Sequence, residues 1–156
     1  MTFLNYLRVF IVSFEFLFFM FFIAVLYWLS PDKTEKIFTS LDSDAKKWVM
    51  LYPFLMAGWN LKEAKLILFP TEKQAYILRG WPDYNHLKIH LNIGIFNCLL
   101  YTFICFLMWT FNLLDTHAGF WFFIASVIAL SINALTFYLA TIEIKSILFK
   151  SRDLDE

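Results

Sequence analysis

The stretch "FWFFIASVIALSINALTFYLA", residues 120–140, contains no charged side chain. Apolar runs of about 18 residues or more with few charges are the signature of a helix that crosses a bilayer. A second run, "FEFLFFMFFIAVLYWL" (14–29), carries a single charge, and a third fills most of 89–114. The whole chain of 156 residues is 60% hydrophobic and 21% aromatic. Soluble domains average about 45–50% apolar residues, and a chain this short cannot bury so large an excess from water. The expected solvent is lipid.

These runs predict an all-α integral membrane protein with three transmembrane helices over 3–29, 89–114 and 119–144. Each would be about 36–40 Å long at 1.5 Å per residue, enough to span with some tilt. Only "DTHAG" (115–119) separates the second from the third, so these two form an antiparallel hairpin. The N-terminal run is roughly twice the length of a signal-peptide core and is followed by no small-residue cleavage site, so it is expected to be a retained anchor.

Charge placement sets the expected orientation. The segment 30–88 holds Lys33, Lys36, Lys46, Lys47, Lys62, Lys65, Lys73, Arg79 and Lys88, and the tail 145–156 holds Lys145, Lys150 and Arg152; only Arg8 lies on the opposite side of this scheme. Basic residues collect on the cytoplasmic side, which predicts N-out, C-in, with 30–88 and 145–156 cytoplasmic. The net charge is zero, from 13 basic and 13 acidic residues, so no nucleic acid is expected as a partner.

Segment 30–88 is punctuated like a set of four short helices. Ser30 with Pro31, Asn60 with Glu63 and Thr71 with Gln74 read as helix starts, and Gly80 reads as a stop before Pro82. The piece "KKWVMLYPFLMAGWNLK" (46–62) is too short to span and contains Pro53, which predicts an interfacial or re-entrant element with Trp48, Trp59 and Trp81 at headgroup level.

Candidate chemistry is sparse. Asp83, His86 and His90 fall on one helical face and are the weak candidates for a metal site, but neither an H-E-x-x-H motif nor further histidines near them complete a catalytic set. The alternative for these three is the polar first turns of a membrane helix. No catalytic residue and no cofactor is expected. Cys98 and Cys105 lie about 10 Å apart along one helix, too far for a mutual disulfide, and read as small apolar fillers.

Intramembrane polar residues carry more information. On the second helix a seam of His86, His90, Gly94, Asn97, Tyr101 and Cys105 recurs at spacings of three and four. On the third the seam is Ser126, Ala129, Asn133, Thr136, Ala140 and Glu143. Small and hydrogen-bonding residues in that pattern are how membrane helices pack. Folding the hairpin about Thr116 sets Asn97 between Asn133 and Thr136. Glu15 lies near the centre of the first run, where an ionised carboxyl is costly and requires a partner, a proton or water. Glu15, Asn97, Tyr101, Ser126, Asn133 and Thr136 are therefore the candidates for assembly or for lining a pore.

The expected function is that of a small, non-enzymatic, multi-pass protein of the plasma (inner) membrane. It would dock or sense a partner as an accessory, regulatory or immunity-type subunit, and would be oligomeric. Its partners would be the bilayer and another membrane or cytoplasmic protein, or further copies of itself. The rival expectation is a pore-forming or membrane-permeabilising effector or channel.

Overall fold

The computed structural model describes residues 13–26, 28 and 43–152. Their elements are α1 (Phe14–Leu26), α2 (Ser43–Leu68), α3 (Glu72–Arg79), α4 (Tyr84–Thr110), a 3₁₀ turn (Leu113–Asp115) and α5 (His117–Arg152). The described residues contain no strand. Two helices are long and apolar enough to cross a membrane, Tyr84–Thr110 and His117–Lys150. The described residues are thus all-helical, with two candidate spans. The outer parts of the expected first span, and Ser30 with Pro31, lie outside the described residues.

The hairpin forms between α4 and α5. Asn112, at φ 50°, takes the left-handed conformation that asparagine tolerates better than most residues, and this reverses the chain. The Thr116 hydroxyl then accepts the Gly119 N–H at 3.1 Å and caps α5. A Cβ on Gly119 would collide with the Leu113 carbonyl, so the turn is closed too tightly for a larger residue. At 36 residues, α5 continues about 12 Å beyond the expected end at 144 and carries the expected tail as helix through Arg152.

The segment between the first run and α4 differs from expectation. Its described residues form one helix of 26 residues, α2, and one of 8, α3. Pro53 is accommodated inside α2, with its ring fully buried. Asn60 does not start a helix: it sits in the interior of α2 and is fully buried. Thr71 does start one, and its N–H donates to Gln74 Oε1 at 3.1 Å, half of a capping box.

Instead of lying across the ends of the hairpin, α2 runs along it. Met50 clusters with Cys105, Leu114 and Phe123 near the hairpin turn. Ala57 meets Cys98, Tyr101, Ala125 and Ala129 at mid-length. Ala64 and Ile67 reach Tyr84, Leu91, Ala140 and Ile144 at the opposite end. The helix is therefore antiparallel to α4 and parallel to α5. The three tryptophans expected at headgroup level are spread along the bundle: Trp48 lies near the turn end, Trp59 at mid-length and Trp81 at the far end.

The sense of α1 also differs from expectation. Ser13 meets Asn97 and Phe19 meets Tyr101, so α1 runs parallel to α4. Glu15 meets Thr136 and Phe19 meets Phe122, so it runs antiparallel to α5. The N-out, three-span scheme requires the reverse. With α1 and α4 in one direction and α2 and α5 in the other, the four helices alternate up, down, up, down along the chain.

Alanines mark the seams. Ala57, Ala64, Ala125, Ala129 and Ala140 are buried where helices meet. Small side chains let backbones approach closely, which is how helices associate where lipid removes the hydrophobic driving force.

Candidate functional site

Polar side chains gather inside this bundle. Glu15 is 6% exposed, while Asn60, Asn97, Tyr101, Ser126 and Asn133 are fully buried. Three helices contribute to a closed ring. Glu15 Oε1 of α1 lies 3.3 Å from the Thr136 hydroxyl of α5. One turn earlier on α5, Asn133 Nδ2 donates to the Gly94 carbonyl of α4 at 2.8 Å. One turn further on α4, Asn97 Nδ2 donates to the Ser13 hydroxyl at 3.3 Å, and Ser13 is two residues from Glu15. Tyr101 stands a turn beyond Asn97 with its ring centroid 5.1 Å from that of Phe19.

The ring exists because Gly94 is a glycine. A Cβ there would fall 2.6 Å from Phe137 Cε1 and 2.9 Å from Asn133 Oδ1. Without it the Asn133 amide reaches the α4 backbone. Buried positions on α5 then follow the true helical period, Ala129, Asn133, Phe137, Ala140 and Ile144, with Phe137 facing inward. Thr136 and Glu143, included in the expected seam by strict three–four alternation, are exposed.

Of the six residues expected to matter within the membrane, Glu15, Asn97, Asn133 and Thr136 join the ring and Tyr101 adjoins it. Ser126 stands apart, donating to the Phe122 carbonyl of its own helix at 2.8 Å. Asn97 pairs with α1 and not with α5, because the hairpin folds nearer 113 than 116 and brings Gly94 to Asn133. The α4 seam begins at Gly94: His86 and His90 are exposed.

Sequence reasoning missed Ser13 as a ring member and Asn60 as a core residue. The latter's Nδ2 lies 3.6 Å from Cys98 Sγ and 3.5 Å from the Leu130 carbonyl, which ties α2 to both arms of the hairpin. An amide within "LMAGWNL" was a signal that the helix had a polar partner. Two further ties from α2 were also missed, Tyr52 OH to Ser131 Oγ at 3.0 Å and Glu63 Oε2 accepting from Thr141 Oγ1 at 3.1 Å.

Asp83, His86 and His90 do not form a site. All three are exposed, and the described residues contain no group of three or more His, Cys, Asp or Glu placed to hold a metal ion. The Asp83 side chain makes no capping bond; its carbonyl accepts the Leu87 N–H at 3.0 Å and so opens α4 through the backbone. Compared with protein-family models, curated proteins and solved structures, the chain matches none.

Proposed function

We propose that this is a small, non-enzymatic, multi-pass protein of the plasma (inner) membrane that serves a protein partner as an accessory, regulatory or immunity-type subunit. One observation carries the membrane part: large apolar side chains cover the outside of the bundle while amides lie buried within it. Phe96, Leu99, Phe103, Phe106 and Trp109 of α4 are exposed, as are Leu135, Tyr138, Leu139 and Ile142 of α5, while Asn97 and Asn133 are buried. The apolar window of each long helix is only 39% buried within the fold. A core helix of a water-soluble bundle hides its apolar surface and shows its polar face, the reverse of this pattern.

In this reading α2 crosses the membrane too. Its apolar stretch, 48–61, is about 21 Å long, and lysines at each end can extend their stems toward the interfaces of a core about 30 Å thick. Both chain ends then share a side. By sequence, Arg8, Lys62, Lys65, Lys73, Arg79, Lys88, Lys145, Lys150 and Arg152 fall toward the end opposite the hairpin turn in this scheme, against Lys33, Lys36, Lys46 and Lys47 toward the turn, which favours a cytoplasmic C-terminus.

The accessory role is favoured over a pore because Glu15, Asn97 and Asn133 make their contacts within one chain. A pore assembled from several copies needs such residues on an outer face, where copies meet. The partner-facing element is α3, at the cytoplasmic end, where Leu78 anchors the helix in the core and Tyr76 projects outward. Extraction from native membranes in mild detergent followed by mass measurement tests the proposal. A heteromeric complex that is lost on Tyr76→Glu is the expected result; a closed homo-oligomer that conducts ions in liposomes would make the pore the better reading.

A further inference from the structure

We propose that Trp28, Trp48 and Trp109 form a collar around the turn end of the bundle, and that this collar docks in the carbonyl and headgroup layer of the non-cytoplasmic phospholipid leaflet. The proposal rests on the membrane reading above and adds a depth to it. Ser13 beside Asn97 and Phe19 beside Tyr101 set the register of α1 on α4, and continued toward the turn it brings Trp28 within about one helical turn of Trp109. Asn60 beside Cys98 and Met50 clustered with Cys105 set α2 against α4 in the same way, and place Trp48 at that level too. The end of α1, the start of α2 and the end of α4 thus each present a tryptophan at one height. All three face outward, at 94%, 72% and 51% exposure for Trp28, Trp48 and Trp109.

Indole suits the boundary between water and lipid, because its ring prefers apolar surroundings while its N–H needs an acceptor, which the ester carbonyls and phosphates of that layer supply. The far boundary fits the same depth. From Leu91 to Trp109 α4 carries no charged residue, and Lys88 closes the stretch about 31 Å from Trp109 at 1.5 Å per residue, against a hydrocarbon core of about 30 Å. The Lys88 ammonium lies 4.4 Å from the centroid of the Tyr84 ring, one turn further out, so it points away from the apolar stretch. Collar and lysine stand one hydrocarbon thickness apart. On α2, Lys62 lies about 21 Å from Trp48 and reaches toward the same boundary through its stem. Trp59 falls about 16 Å from Trp48, near the middle of the core. Trp121 keeps its indole nitrogen buried within the fold and takes no part.

The test is fluorescence quenching of the full chain in phosphatidylcholine vesicles whose acyl chains carry bromine either close to the glycerol or close to the terminal methyl. Trp28, Trp48, Trp59 and Trp109 are each left in turn as the sole tryptophan, by phenylalanine replacement of the other five. The expected result is that Trp28, Trp48 and Trp109 lose more emission to bromine near the glycerol, whereas Trp59 loses more to bromine near the methyl end. A depth like that of Trp59 at any of the three, or no quenching there while Trp59 is quenched, overturns the collar and leaves the membrane reading standing. No quenching at Trp59 either overturns the membrane reading, and the collar with it. Should a fivefold replacement lose its helical circular dichroism, the same depths are read as differences between the unaltered chain and the single variants Trp28→Phe, Trp48→Phe, Trp59→Phe and Trp109→Phe.

Discussion

The α4–α5 hairpin and α2 solve the same packing problem with different means. The hairpin is long and almost uncharged, and its arms are joined by a strong 2.8 Å bond from Asn133 to the Gly94 carbonyl and by close approach at Gly94. By contrast, α2 is apolar over only 48–61 and is interrupted by Pro53, and its central tie, Asn60, makes long contacts of 3.5 and 3.6 Å. The hairpin has the length to be stable in a bilayer by itself. Only against the hairpin is α2 a plausible membrane element, since its amide, its glutamate and its proline all find cover there. Hydropathy reads single helices and so recognises the first kind; the second is visible only in the assembled bundle.

The largest test of this comparison is all-or-none. If α2 crosses beside the hairpin, cysteines introduced at Ser43 and Ser151 face opposite sides, because Ser43 lies beyond Met50 at the turn end and Ser151 at the far end of α5. A membrane-impermeant maleimide added from outside should label Ser43→Cys in intact cells and leave Ser151→Cys untouched. Labelling of both from one side would return α2 to the cytoplasm and restore the three-span reading.

What could be read in advance follows from the same contrast. Both arms of the hairpin and its turn are evident from unbroken apolar length, and Glu15, Asn97 and Asn133 stand out because amides and carboxyls are conspicuous among phenylalanines. Asn60 was hidden by local grammar: an asparagine three residues before a glutamate resembles a helix start, and only tertiary contacts show that the helix passes through it. The direction of α1 was hidden for another reason. Counting basic residues by side presupposes which segments cross, and once α2 joins the bundle the same lysines give a different answer.

Second in size is Gly94→Ala. The new Cβ would lie within 3 Å of the Phe137 ring and of Asn133 Oδ1, so α4 and α5 must part or Phe137 must leave its place. Overpacking of this kind costs about 1–3 kcal/mol, and here the Asn133 bond is lost as well. Unfolding in mixed detergent should show a loss in that range. A change below about 0.5 kcal/mol would mean that the arms are not so closely apposed.

The two amides differ by less. Asn133→Leu removes a short bond between the arms and should cost about 1–2 kcal/mol, within the spread found for membrane hydrogen bonds. Asn60→Leu removes two weak contacts together with an oxygen that has no partner, and is expected to be nearly neutral. The same unfolding assay decides it. Equal losses at the two positions would place α2 on the same energetic footing as the hairpin and break the comparison.

The smallest effect has the opposite sign. On α2, Gly58 is exposed and has no heavy atom within 4 Å of where a Cβ would stand. Replacing it with alanine therefore meets no neighbour, and it reduces the backbone freedom that a mid-helix glycine loses on folding. In soluble helices that exchange stabilises by about 0.5–1 kcal/mol. A lipid-facing α2 should gain that much or less, since a hydrogen-bonded helix is already the favoured state of backbone in a bilayer. The pair Gly58→Ala and Gly94→Ala thus makes one chemical change at two glycines, one against lipid and one against a neighbouring helix. The expected signs are opposite. If Gly58→Ala destabilises as much as Gly94→Ala, the outer face of α2 is covered by protein, and the surface assigned to lipid is an interface with a partner or with a second copy of the chain.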